Sequence, residues 1–139
     1  AKPFEQVGAP YIDGPKLSAE LNARNIPGVR FEPVKFTPAM DFYPGPATSL
    51  KYKDKECGGV RAVLTERERC PVLDIGIELA LAVHRLYPDN FKVEEMGRLL
   101  GDDETLNAIK AGESLAQIKA RWAAGLAKFD ARRKPALLY

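Results

Sequence analysis

Gly58-Gly59-Val60-Arg61-Ala62-Val63-Leu64-Thr65 decides the fold. Two glycines open a segment rich in residues that favour a pleated backbone, so it reads as a strand near 59–65. Upstream, Val29 and Phe31 alternate with Arg30 and Glu32, the period of a half-buried strand near 29–37. The phase slips after that, because Val34 and Phe36 fall in the opposite register. Pro33 cannot donate a ladder hydrogen bond, so it belongs at a sheet edge or a bulge. A third extended segment lies near 4–8, just before the punctuation of Gly8, Pro10, Gly14 and Pro15. Downstream of Thr65 the period changes from two to between three and four. The order is strand, helix, strand, loop, strand and then helices, which gather mainly in the second half, and it reads as an α+β domain with a small mixed or antiparallel sheet.

The helices are read from caps and stripes. Pro15 suits a first helical turn, and Leu17 and Leu21 share a face, predicting a helix near 15–25 that Asn25 and Pro27 end. Ile75, Leu79, Ala82 and Leu86 share one face of a helix near 74–87, with Asp74 or an earlier residue as its cap. Ile77, Leu81 and Val83 make it apolar nearly all round, so it is expected to be central. A short helical turn near 94–100 ends at Gly101, and a helix near 103–111 ends at Gly112. Ser114 and Gln117 have capping-box spacing for a last helix near 114–133. Its stripe of Leu115, Ile118, Trp122, Leu126 and Phe129 is expected to be core, and the apolar tail Pro135 to Tyr139 to be docked.

The chain has 139 residues, the length of one domain. At 45% hydrophobic and 29% charged it is a folded sequence. A net charge of +2 gives no reason to propose nucleic acid as partner. No apolar run is long enough to span a membrane, and none opens the chain as a signal segment. The first residue is Ala1, so the chain reads as a processed protein or a piece of a longer one. Two cysteines and one histidine are too few for a closed zinc site, and no phosphate loop or H-E-x-x-H motif occurs. No metal or cofactor is implied. His84 reads as a helix histidine, and spacing leaves a Cys57–Cys70 disulfide open.

Residues 38–56 carry neither period, and a loop of that length is usually functional or mobile. Tyr43 and Tyr52 within it are placed either to stack on a ligand or to pin the loop to the core. Among the carboxylates, Asp13 and Glu56 stand out by flanking the strand-rich half near glycine turns. Spacing alone does not set them opposite each other as a glycosidase acid pair requires.

Several motifs occur in a telling order: Gly8-Ala9-Pro10-Tyr11-Ile12-Asp13, Leu21-Asn22, Pro27-Gly28-Val29-Arg30-Phe31, Phe36-Thr37-Pro38 and Cys57-Gly58-Gly59-Val60. Leu86-Tyr87-Pro88-Asp89-Asn90-Phe91, Leu99-Leu100-Gly101 and the ending Arg133-Lys134-Pro135-Ala136-Leu137-Leu138-Tyr139 complete the set. Together they resemble the C-terminal domain of the NamZ-type exo-β-N-acetylmuramidases, across nearly the whole chain. The resemblance implies a single auxiliary domain, residues 1–139, of a larger exported bacterial glycosidase. That enzyme removes N-acetylmuramic acid from the non-reducing end of peptidoglycan fragments. A Rossmann-like N-terminal domain, absent from this chain, is implied as the carrier of catalysis and as the domain's partner. No catalytic residue is therefore carried over. A periplasmic or extracellular location follows from the same resemblance.

A muramic sugar offers a ring face for aromatic stacking and a lactyl carboxylate for arginine. Tyr11, Arg30, Tyr43 and Arg61 are the expected substrate contacts. Two other readings stand beside this one. The domain could brace a partner without touching sugar, or it could be a small enzyme that uses Asp13 and Glu56.

Overall fold

Three antiparallel strands, β1 (Gln6–Ala9), β2 (Val29–Phe36) and β3 (Cys57–Leu64), form the sheet in the order β1-β3-β2. The computed structural model describes residues 5–39 and 51–137. Its residues group into two compact units, Ala1–Lys92 and Val93–Tyr139. The sheet and the helices α1 (Gly14–Asn22) and α2 (Val72–Leu86) belong to the first. The short α3 (Gly97–Leu100), α4 (Asp103–Lys110) and α5 (Leu115–Arg133) belong to the second.

Pairing of β2 with β3 runs unbroken from Val29↔Leu64 to Phe36↔Cys57. The phase slip in the sequence is therefore not a bulge. One sheet face carries Phe31, Val60 and Ala9, which are buried with Ile12, Leu17, Leu21, Ala82 and Val83 in one core cluster. Val34 and Phe36 turn to the opposite face, where Phe36 lies so close to Gly8 that a Cβ there would sit 2.8 Å from its ring. Both halves of β2 are half-buried strand, each by a different face. β2 is an edge strand, as Pro33 requires.

The open edge of β2 is capped by a side chain. Asn22 Oδ1 accepts from the Phe31 N–H at 2.9 Å, and its Nδ2 donates to the Phe31 carbonyl at 2.9 Å. Ser18 Oγ donates to the same carbonyl at 2.7 Å. Asn22 thus offers one amide where a neighbouring strand would offer a peptide group. Asp13 caps α1 by accepting from the Lys16 N–H at 2.9 Å. The helix ends at Asn22, short of the expected 25, and Asn25 reverses the chain at φ 52°. Glu20 pairs with Arg24 at 2.9 Å and with Arg85, tying α1 to α2.

α2 begins at Val72, earlier than expected, behind Pro71 and with no side-chain cap. Asp74 falls in its first turn, where its negative charge meets the positive end of the helix dipole favourably without capping the helix. Ile77, Ala80, Ala82 and Val83 are buried, and Ile75, Leu79 and Leu86 pack against the core cluster as expected; of its large apolar side chains only Val72 and Leu73, at the start of α2, are exposed. Cys57 and Cys70 are both free thiols; burial pushes the Cys57 thiol above its ordinary pKa.

In the second unit a 3₁₀ turn, Val93–Met96, leads into α3, so the expected helix near 94–100 is two short pieces. Asp102 caps α4, and Gly112 ends the following turn at φ 70°. The Ser114–Gln117 capping box starts α5. Leu106, Ala108, Ile109 and Ile118 are buried, and Trp122 Nε1 donates to Thr105 Oγ1 at 2.7 Å. The expected core stripe of α5 holds only for its first half. Leu126 is 57% and Phe129 49% exposed, and Leu137 beyond the helix is exposed, while Leu138 and Tyr139 of the tail expected to dock lie outside the described residues.

Candidate functional site

The turn between β1 and α1 is pressed onto the start of β3. A Cβ on Gly58 would lie 2.1 Å from the Ile12 carbonyl oxygen, and one on Gly59 2.1 Å from that of Val7. Only glycine admits so close a backbone approach. The turn, the end of β2 and the start of β3 enclose a cleft of about 630 Å³. Tyr11, Asp13, Val34, Lys35, Glu56 and Gly58 are among its walls.

Aromatic packing fixes the Tyr11 wall. Its ring lies 5.7 Å from that of Tyr87 and 6.5 Å, edge-on, from that of Tyr52. Tyr87, at the end of α2, holds the turn directly: its hydroxyl accepts from the Asp13 N–H at 2.9 Å. Tyr52 packs against the core cluster, so of its two expected roles the structure shows the pinning one. Across the cleft Lys35 pairs with Glu56 at 3.0 Å, both side chains largely in solvent.

The Asp13 and Glu56 carboxylates do line one cleft, which spacing could not establish. Each already has a structural partner, the α1 backbone for Asp13 and Lys35 for Glu56, and both are exposed. Such a pair is not set up as the buried acid and opposed base of glycoside hydrolysis. Among the described residues no cluster of three His, Cys, Asp or Glu could hold a metal.

The four expected contacts do not converge. Tyr11 lines the cleft. Arg30 and Arg61 project from the sheet face opposite the buried core, where both bind Glu32. The Arg30 contact measures 2.5 Å. The Arg61 hydrogen bond, with the charges of both guanidiniums, holds the Glu32 carboxyl below its ordinary pKa. Tyr43 lies outside the described residues. Lys35 and Tyr87 were not anticipated as part of the site; Tyr87 reads in the sequence only as a helix end. The signal that existed was Gly58-Gly59, a double glycine inside a strand, which marks a close backbone approach.

The family described as "Exo-beta-N-acetylmuramidase NamZ, C-terminal" matches residues 1–139. The chain is 31% identical over 141 residues to the peptidoglycan β-N-acetylmuramidase NamZ of Bacillus subtilis (strain 168). That alignment covers 99% of this chain and 32% of the relative. A crystal structure of a DUF1343 family protein from Bacteroides fragilis superposes with a TM-score of 0.75 at 19% identity. It covers 99% of this chain and 35% of that one, and shows the same fold. The chain spans about a third of the length of these relatives. With the whole chain matched and its sheet and helices in a shared fold, it belongs to the NamZ exo-β-N-acetylmuramidase family, as the family's C-terminal domain.

Proposed function

We propose that this chain is the auxiliary, substrate-cleft domain of a peptidoglycan-degrading exo-β-N-acetylmuramidase. The enzyme hydrolyses N-acetylmuramic acid from non-reducing ends, with catalysis supplied by a Rossmann-like N-terminal part of a longer, exported polypeptide. Family membership supports the enzyme class. The observation that carries the domain's own role is the cleft, with a fixed aromatic wall at Tyr11 and a cation at Lys35. The Tyr11 ring supplies a face for a pyranose, and Lys35 a charge for the lactyl carboxylate. Asp13 and Glu56 act there as rim and ion-pair partners, not as the hydrolytic pair. Arg30 and Arg61 remain candidate contacts on a separate surface, where Glu32 already engages both.

The test is NMR shift mapping of the 139-residue chain with muramic-acid-containing fragments. Shifts centred on the 10–14 turn and on residues 33–35, weakened by Tyr11→Ala and by Lys35→Ala, are expected. Absence of any shift favours the bracing role without sugar. Turnover by the chain alone, abolished by substituting Asp13 or Glu56, would overturn the auxiliary role.

A further inference from the structure

We propose that the outer half of α5, residues 123–133, is a docking surface for the larger N-terminal part of the family polypeptide, which meets it with an apolar strip edged by carboxylates. Three observations carry this. First, Ile118, Trp122, Leu126 and Phe129 form one continuous helical stripe, spaced three to four residues apart. Ile118 is fully buried, whereas Leu126 and Phe129 stand about half exposed. The same stripe is core at one end and uncovered at the other. Second, the uncovered stretch is cationic. Lys128, Arg132, Arg133 and Lys134 face a single carboxylate, Asp130, which Arg133 takes at 2.9 Å. The Arg133 guanidinium also lies over the Phe129 ring, 5.8 Å from its centroid, so the charge rims the apolar strip itself. An apolar centre with a one-sign rim selects a partner of the same layout and opposite sign. Third, the chain matches only 32% of the length of its Bacillus relative. The remaining length of such a polypeptide supplies a partner tethered to this domain, at high effective concentration.

The inference rests on family membership and not on sugar binding in the cleft, so the two fail separately. The experiment compares amide exchange in the product of the complete reading frame with that in the 139-residue chain. Exchange across residues 123–133 is expected to slow roughly tenfold or more in the longer product. The double variant Leu126→Glu, Phe129→Glu is expected to abolish that protection. In the short chain the same variant should shift Tm by no more than about 2 °C, because both side chains already meet solvent. A frame confined to these residues, an unprotected α5 in the longer product, or protection that survives the double variant would each overturn the proposal. So would dimerisation of the short chain, or its binding to phosphatidylglycerol vesicles, if the double variant removed it. Those results would assign the stripe to a second copy or to an anionic membrane.

Discussion

Replacing Asn22 by alanine tests how β2 is held. Its amide makes two hydrogen bonds, both 2.9 Å, to the backbone of Phe31, a residue only 4% exposed. The Phe31 carbonyl keeps Ser18 Oγ at 2.7 Å, so the group orphaned is the N–H. A neutral hydrogen bond contributes about 0.5–1.5 kcal/mol net, and an orphaned buried donor costs about 1–3 kcal/mol. Alanine returns a few tenths of a kcal/mol through its better helix propensity. The expected loss is about 1–2 kcal/mol, a fall in Tm of roughly 4–16 °C for a unit of this size. Urea denaturation followed by far-UV circular dichroism measures the loss, and exchange of the Phe31 amide measures it locally. Asn22→Asp sharpens the test. Its carboxylate can still accept from the N–H, but it sets a second oxygen against the Phe31 carbonyl. At pH 7 it should be at least as unstable as Asn22→Ala. Relative to wild type at each pH, it should recover as pH falls and the acid becomes a donor. A loss under about 0.5 kcal/mol for Asn22→Ala, with unchanged Phe31 exchange, would refute the reasoning.

Glu32→Gln addresses the Arg30–Glu32–Arg61 cluster. The folded pKa of Glu32 lies below its ordinary 4.5, so its ionic contribution is present above that pH and fades as pH falls through the folded value. The stability gap between wild type and Glu32→Gln should therefore narrow between pH 6 and pH 3 in denaturant titrations; a gap independent of pH contradicts the assignment. Gly59→Ala forces a Cβ to 2.1 Å from the Val7 carbonyl oxygen and should cost about 1–3 kcal/mol by thermal melting. Gly76→Ala, in the exposed middle of α2 with no atom within 4 Å of the new Cβ, should instead stabilise by about 0.5–1 kcal/mol. If the two glycine variants behave alike, the close approach of β1 to β3 at Gly59 does not constrain the sheet. Asp102→Ala removes the cap of α4 and should lower stability by about 1 kcal/mol, read by loss of helical signal.

Strands and helices were legible in the sequence because their periods are local. The capping box at Ser114 and the stops at Gly101 and Gly112 need only neighbouring residues, and all three stand as expected. Pro33 announced an edge strand for a similarly local reason. The phase slip at Val34 misled because both sheet faces carry apolar contacts at that end, which one strand's pattern cannot show. The outer half of α5 misled for the opposite reason: its period is that of a core, yet Leu126 and Phe129 are exposed. A hydrophobic period reports that a face is suited to burial, not what buries it. The site was least legible. Tyr11 lines the cleft, but Arg30 and Arg61 are not among its walls, and strand register sets them beside Glu32 on the sheet face opposite the core. Lys35 lines the cleft through strand pairing and Tyr87 braces its turn through a contact across the chain, neither of which has a local signature.

The hydrogen bond between Tyr87 and the Asp13 backbone spans 74 residues, and this sets an order on how the domain can mature. During synthesis β1 emerges before β3, which is its only sheet partner among the described residues. The turn that shapes the cleft gains its tyrosine anchor later still, once the end of α2 has been made. Such distant closures slow folding. A nascent chain arrested before residue 87 would hold the beginnings of every cleft wall without the strut that fixes them.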